Sequence, residues 1–374
     1  MRIVYVLTSL GMGGAEKLAL ALGERMADRG HQPAFLVLRR PVAQQWPTSL
    51  ESVHLDVRRS PASFLAGLSH ARRFVAAFRP DVVHGHCFHA NMMSRLLGLS
   101  PPRPAVVSTI HNVYEGGWPR MLAYRITDGL SDATVAVSHA AAERFARLKA
   151  IPAGKCSVIV NGVDVREFSP DPERRLRTRA ALGVPNCLEE SAFLWLAVGR
   201  IALAKDYPNL LHAFAQVRAG RPGIRLCIAG EPFADNLGAL QSLASELNLA
   251  DSVSWLGLRR DVPALLDAAD GFVLSSAWEG MPLAVAEAMS MEKPAVATDV
   301  GGVRELVGDA GLVVPSHHPD ALAAAMLGLM QRSREERCAL GRAARIRIVQ
   351  LFSMDSNADR WEALYRALLA RQRE

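Results

Sequence analysis

Short, mostly apolar runs recur along the chain with little alternation inside them. Ile3–Leu7, Pro33–Leu38, Asp81–His84, Ala105–Thr109 and Thr134–Val137 are of this kind. Between them lie stretches with helical spacing, one running from the Gly11-Met12-Gly13-Gly14 segment to about Arg29, others over Ser63–Phe78 and His89–Leu99. Continuous apolar strands separated by helices predict a parallel sheet covered on both faces. The pattern then repeats. Val158–Val160 closes the first set, and Phe193–Val198, Arg225–Ala229, Val253–Leu256, Gly271–Leu274, Pro294–Ala297 and Gly311–Val314 form a second.

The segment 168–190 joins the two sets, with Ser169-Pro170-Asp171-Pro172, an Arg-rich helical stretch and Gly183-Val184-Pro185. Two α/β domains are therefore expected, residues 1–168 and 169–353, with a cleft between them as the default ligand site. A last helix, about Met354–Leu369, sets Trp361, Leu364, Tyr365 and Leu368 on one side, so it has an apolar face to bury.

Composition narrows the class. Half of the 374 residues are hydrophobic and 21% are charged, the balance of a folded chain. Cys87, Cys156, Cys187, Cys227 and Cys338 are scattered and form no CxxC pair, so neither a disulfide framework nor structural zinc is expected, and the compartment expected is the cytosol. The opening apolar run is too short to span a bilayer and lacks a signal-peptide pattern.

Charge is uneven. Residues 1–168 carry 20 Lys and Arg against 12 Asp and Glu, a balance of +8, and residues 169–374 carry 23 against 25, a balance of −2. The basic half suits a phosphate-bearing partner or an anionic membrane surface, with Arg39-Arg40, Arg58-Arg59 and Arg72-Arg73 as candidates. No stacking-aromatic or reading-helix pattern accompanies these charges, which argues against nucleic acid.

The densest chemistry lies in Ser275–Met289. A loop with Glu279-Gly280 follows a strand, and Pro282 suits the first turn of a helix, where its missing N–H needs no partner. The helix start favours negative charge. Glu279 falls outside that helix and Glu287 inside it, and carboxylates suit sugar and ribose hydroxyls because each oxygen accepts charge-assisted bonds. The ordinary alternative makes Glu279 a helix-start residue favoured by the dipole and Glu287 a surface residue. Arg200 and Lys205 follow a strand end, where two cations can neutralise a diphosphate.

Gly13 and Gly14 let backbone approach a ligand, but Lys17 stands where a dinucleotide fingerprint needs its last glycine and Arg39-Arg40 where it needs an acid, which disfavours a dinucleotide-binding domain. His111-Asn112 is a polar pair at a strand end. His84-Gly85-His86 with His89 resembles a metal cluster without completing ligands, so no metal is expected and His86 is read as structural or acceptor-facing. P-loop and Gly-x-Ser-x-Gly patterns are absent.

Together these residues resemble retaining glycosyltransferase family 4, of the bacterial surface-polysaccharide type. Glu279-Gly280-Met281-Pro282-Leu283 through Glu287 is similar to its Glu-x7-Glu motif, and Gly199-Arg200 with Lys205–Leu211 to its phosphate-binding motif. Gly13–Glu16, Thr109-x-His111 and Leu256-Gly257 with Asp261-Val262 also fit. The resemblance implies a GT-B fold, two Rossmann-like domains facing a central cleft, with the final helix, about 354–374, packing back on an acceptor-binding N-terminal domain.

It also implies roles. Glu287 holds ribose hydroxyls and Glu279 a donor-sugar hydroxyl, while backbone of Gly280, Met281, Pro282 and Leu283 approaches sugar and phosphates. Arg200 and Lys205 hold the diphosphate, Gly13 and Gly14 line the donor–acceptor junction, His111 lies near the transferred sugar, and Glu231 and Arg259 face the nucleotide. His111, Arg200, Lys205 and Glu279 are the catalytic set.

The reaction expected is metal-independent retaining transfer of a hexosyl or N-acetylhexosaminyl unit from a nucleoside-diphosphate sugar, UDP-linked in the first instance, to a glycan or polyprenyl-diphosphate-linked acceptor. The enzyme is expected to be cytoplasmic and peripheral on the inner membrane face. A GDP-mannose-dependent transferase, a sugar-nucleotide epimerase or glycan phosphorylase, and a sugar-binding protein without turnover are the alternatives.

Overall fold

A computed structural model describes residues 1–40, 48–58, 60–184, 192–233 and 236–372. Arg59, Cys187 and Pro185, named above, lie outside them. The chain divides into two compact units, Met1–Gly162 with Met354–Glu374, and Val163–Ser353.

In the first unit the strands are β1 (Arg2–Leu7), β2 (Gln32–Val37), β3 (Ser52–His54), β4 (Val82–His86), β5 (Ala105–Ile110), β6 (Ala133–Ala136) and β7 (Cys156–Val158). They form a parallel sheet in the order β3-β2-β1-β4-β5-β6-β7. β1, β4 and β5 are buried along nearly their whole length, because helices cover both faces. On one face the helix Gly14–Asp28 packs with the last helix, Met354–Arg371; Leu22 and Met26 meet Trp361, Tyr365 and Leu368 in one core. The helices Pro61–Phe78 and Cys87–Leu97 cover the other face through Leu68, Val75, Met93 and Leu97.

In the second unit β8 (Phe193–Val198), β9 (Ile224–Ala229), β10 (Val253–Gly257), β11 (Gly271–Leu274), β12 (Ala295–Thr298) and β13 (Leu312–Val314) pair in parallel in the order β10-β9-β8-β11-β12-β13. The helices Tyr207–Arg218 and Pro319–Gln331 bury Leu210, Phe214, Met326 and Leu329 against Trp195 and Leu226. Both sheets are thus doubly wound α/β sheets, and each unit is Rossmann-like.

The segment 163–168 belongs with the second unit rather than with the residues before it. Val163 N–H donates to Phe352 O, and Arg345 donates to the carbonyls of Val165 and Phe168. β3 has no counterpart among the strands expected from sequence, since its three residues are all half-buried and make no apolar run. Among the described residues no helix is long and apolar enough to cross a membrane, and Cys87, Cys156, Cys227 and Cys338 are free thiols.

Candidate functional site

Each sheet reverses its strand order once, at β1/β4 and at β8/β11, and open α/β sheets bind ligands beyond the carboxyl ends of strands at such a reversal. In the second unit Arg200 and Lys205 follow β8, and Glu279 follows β11. Lys205 ends a short 3-10 turn, Leu203–Lys205; Asp206, with φ 44°, then reverses the chain and caps the next helix. Lys205 Nζ donates to Glu279 Oε1 at 2.6 Å, and Ser276 Oγ donates to the same oxygen at 2.7 Å.

The two loops are tied together around that pair. Ala277 N–H donates to Ala204 O at 2.8 Å, Ser275 Oγ to Lys205 O at 2.7 Å, and Thr298 Oγ1 to Ser276 O at 2.7 Å. A partly buried ion pair withstands desolvation only when further hydrogen bonds satisfy it. Here Ser276 supplies one, while Glu279 Oε2 and two ammonium N–H groups have no partner among the described residues. Those are the groups with which the pair can meet a ligand's hydroxyl or phosphate.

Two glycines permit the close packing. A Cβ on Gly301, where φ is +55°, lands 2.1 Å from Glu279 O, and one on Gly230 lands 1.9 Å from Gly199 O. Gly302 N–H donates to Gly280 O at 2.7 Å, which fixes the Gly280–Met281 peptide.

Met281 is buried, and Pro282 stands at the N-cap of the helix Leu283–Ser290, one position before its first turn. Glu287 is the fifth residue of that helix and only 7% exposed, so it is a buried carboxylate and not a surface one. Arg200 is exposed, and its guanidinium makes no hydrogen bond or ion pair among the described residues. Glu231 is exposed at the end of β9, its carbonyl accepting from Ile201 N–H at 2.9 Å. Arg259, past β10, is held in a fork by Asp261 at 2.7 and 2.5 Å and is not brought to the Lys205–Glu279 pair by any contact.

In the first unit Gly13 is the N-cap of the helix Gly14–Asp28 and carries no capping side chain, so Gly13 and Gly14 present backbone alone. His111 follows β5. Its Nε2 lies 2.9 Å from His86 Nδ1, and its backbone N–H donates to Glu115 Oε1 at 2.9 Å. Tyr124 O–H donates to Glu115 Oε2 at 2.6 Å, and Asn91 Nδ2 to Tyr124 Oη and to Thr109 O, both at 2.9 Å. His84 bridges Thr109 Oγ1 at 2.6 Å and Tyr365 Oη at 2.7 Å.

Burial pushes the His111 imidazole down to about 4, and holds His84 and His86 well below the ordinary range, so three neighbouring rings remain neutral near pH 7. Burial pushes the Glu115 carboxyl up to about 7, against the hydrogen bonds from Tyr124 and His111. A neutral imidazole can donate or accept a hydrogen bond without bringing a charge into the buried site. Among the described residues no group of three or more His, Cys, Asp or Glu is placed to hold a metal.

Glu115, Ser276, Thr298, Gly230 and Gly301 shape these sites and were not singled out by sequence. Only Glu115, an acid set between His111 and the pair Gly116-Gly117, left a local trace.

The arrangement has relatives. The family model described as "Glycosyltransferase Family 4" matches residues 12–167, and "Glycosyl transferases group 1" matches 192–332. A D-inositol 3-phosphate glycosyltransferase of Segniliparus rotundus is 30% identical over 78% of this chain and 67% of its own length. The chain belongs to the glycosyltransferase family. The transferase is also 29% identical to the putative glycosyltransferase EpsD of Bacillus subtilis, over 69% of this chain and 70% of that one. It shares 28% identity with the Escherichia coli UDP-Gal:alpha-D-GlcNAc-diphosphoundecaprenol alpha-1,3-galactosyltransferase over 61% of this chain and 60% of the other.

Among solved structures, Anabaena HepE in complex with UDP and glucose superposes with a TM-score of 0.85 at 20% identity, covering 98% of this chain and all of that one. A Rickettsia africae glycosyltransferase gives 0.82 at 19% identity, with 98% of both chains covered. At such identities the likeness concerns the fold, which is GT-B. The transferase therefore moves a sugar from a nucleotide-sugar donor to an acceptor.

Proposed function

We propose that this transferase carries a hexosyl or N-acetylhexosaminyl unit from a UDP-sugar to a glycan borne on a polyprenyl diphosphate, with retention of anomeric configuration and without a metal. The observation that carries the reading is the Lys205 Nζ–Glu279 Oε1 contact at the β8/β11 reversal, a cation and a sugar-binding carboxylate fixed side by side. Support for a UDP-sugar and a diphosphate-lipid acceptor comes from the activity of the E. coli relative, and HepE is a fold relative bound to UDP and glucose.

In this reading Lys205 and Arg200 take the diphosphate, whose charge grows as the anomeric C–O bond breaks. A well-placed donor to such a leaving group contributes about 3–4 kcal/mol to the transition state. Donor phosphate binding draws Lys205 partly away from Glu279, whose carboxylate then accepts from a donor-sugar hydroxyl. Glu287 accepts from the ribose hydroxyls, and the backbone of Gly280–Leu283 lies along sugar and phosphates, with Glu231 and Arg259 toward the nucleotide. The departing phosphate oxygen takes the proton of the acceptor hydroxyl as that hydroxyl attacks from the same face. Glu279 is accordingly a binding group and not a nucleophile.

In the first unit, the bare helix start at Gly13-Gly14 serves the acceptor side, and neutral His111 donates to a hydroxyl of the sugar being moved. Such an enzyme works in the cytoplasm at the inner membrane face.

A panel of UDP- and GDP-sugars tests this, read by nucleoside diphosphate release and by mass and anomeric configuration of the product. An acceptor-dependent, retained UDP-sugar product is expected, with activity unchanged by EDTA. GDP-mannose as sole donor overturns the donor assignment. Product on D-inositol 3-phosphate alone, the acceptor named for the Segniliparus rotundus relative, overturns the acceptor assignment. Loss of activity on chelation that magnesium or manganese restores overturns metal independence.

A further inference from the structure

In the first sheet His86 of β4 stands opposite Thr109 of β5, and residues two apart along a strand share a face. His84 and His86 therefore lie on the same face as Thr109, and each reaches one step further along the neighbouring chain. His84 Nε2 lies 2.6 Å from Thr109 Oγ1, and His86 Nδ1 lies 2.9 Å from His111 Nε2. The His86 ring is walled in by His84, with centroids 4.1 Å apart, and by Tyr5 at 6.0 Å, and only 2% of the residue is exposed. Directly after it Cys87 takes a φ of 68°, a left-handed conformation that costs any residue with a Cβ, and turns the strand into the helix Cys87–Leu97. Such strain persists only where the surrounding structure fixes it, so the place of His86 is held firmly.

Hydrogen-bond satisfaction decides which ring supplies the proton between His86 and His111. Both rings are neutral near pH 7, so each carries one N–H and one bare nitrogen. His86 Nε2 is buried and has no partner among the described residues. Were His111 Nε2–H the donor, His86 would carry its own proton on that buried Nε2, an N–H with no acceptor. With His86 Nδ1–H as the donor, the unpaired atom is a lone pair alone. Buried N–H groups without a partner are the rarer of the two. His111 then carries its proton on Nδ1, which makes no hydrogen bond among the described residues on a half-buried ring.

We infer that His86 is a positioning residue for His111: its Nδ1–H donates to His111 Nε2, fixes that ring and its tautomer, and leaves His111 Nδ1–H as the donor offered to the transferred sugar. The hydrogen bond made by one imidazole nitrogen sets what the other can do. The backbone is held separately, by Glu115 accepting from the His111 N–H at 2.9 Å. The tautomer follows from this unit alone, while the sugar hydroxyl it serves rests on the proposed function.

Nitrogen-15 NMR of the full chain, labelled at histidine and assigned with His86→Asn and His111→Ala, reads the tautomers directly. Protons on Nδ1 of both His86 and His111 are expected; a proton on Nε2 of either ring overturns the inference. Because no sugar donor is present, failure of the UDP-sugar assignment leaves that result intact. Steady-state release of nucleoside diphosphate then reads the consequence. His86→Gln, whose amide reaches the place of Nε2, is expected to lower kcat about tenfold with the donor KM within about twofold. His86→Asn, whose amide N–H can stand at the place of Nδ1, is expected to recover most of that loss. In a His111→Ala background His86→Gln is expected to cost nothing further, since the two act as a unit. Wild-type kcat in His86→Gln, an equal loss in His86→Asn, or a loss that adds in full to that of His111→Ala overturns the inference. Thermal melts establish that the variants fold.

Discussion

Lys205 is bound to two duties by one geometry. Its 2.6 Å contact with Glu279 holds both side chains in place before a donor arrives, and its remaining N–H groups are the ones that can follow charge onto a leaving phosphate. Lys205→Ala is expected to lower kcat by about 10²–10³-fold with a smaller change in KM, the signature of an interaction strongest in the transition state. With the ribose contact proposed for Glu287, Glu287→Ala removes binding made equally in both states, so KM for the donor is expected to rise about 10–100-fold with kcat nearly kept. Steady-state release of nucleoside diphosphate separates the two patterns.

Glu115 gives a pH signature in the other unit. Its carboxyl is raised from 4.5 to about 7, so the folded protein holds that proton more tightly than the unfolded chain does. The stabilisation is full below about 4.5 and lost as pH rises through about 7. His111, lowered from 6.5 to about 4, contributes the opposite slope, with stability present above 6.5 and lost as pH falls. Glu115→Gln removes only the first slope. Melting temperatures should therefore show the variant gaining on wild type between about pH 5 and pH 8, by at most about 3 kcal/mol. Parallel curves contradict this.

At the scale of elements, the loops depend on two glycines whose Cβ positions are already occupied by backbone. Gly230→Ala meets Gly199 O and Gly301→Ala meets Glu279 O, and neither neighbour is a side chain that can rotate away. Each substitution is expected to cost about 1–3 kcal/mol in urea unfolding and to displace the loop beside it.

Much of this level was legible in the sequence. The continuous apolar runs of β1, β8 and β11 announce buried parallel strands, and Glu279-Gly280 followed by Pro282 announces a loop turning into a helix. β3 was not legible because a half-exposed edge strand of three residues has no pattern of its own. Nor were Ser276, Thr298, Gly230 and Gly301. Their roles come from strands placed side by side by the sheet, and no local spacing encodes which loops become neighbours.

Contacts between residues far apart in sequence show the same limit at the scale of the whole molecule. His84 meets Tyr365 across 281 residues, and the Trp361 ring lies tilted against the His84 ring with centroids 4.5 Å apart, so the last helix completes the core of the first unit. Its apolar side was readable from spacing, but its partner was not. Trp361→Ala is expected to destabilise that unit by about 3–5 kcal/mol in urea unfolding, since a wholly buried indole leaves a cavity beside a buried imidazole. Membership of the glycosyltransferase family is carried by the Segniliparus rotundus relative, aligned over 78% of this chain, and a family model matches in each half.

In the proposed function the second unit holds the donor through a cation and two carboxylates at its strand reversal. The most direct measurement compares acceptor-dependent nucleoside diphosphate release from a UDP-sugar by wild type, Lys205→Ala and Glu287→Ala in parallel. The account expects turnover by wild type, a collapse of kcat in the first variant and a donor KM defect in the second. Variants that turn over with wild-type constants contradict it.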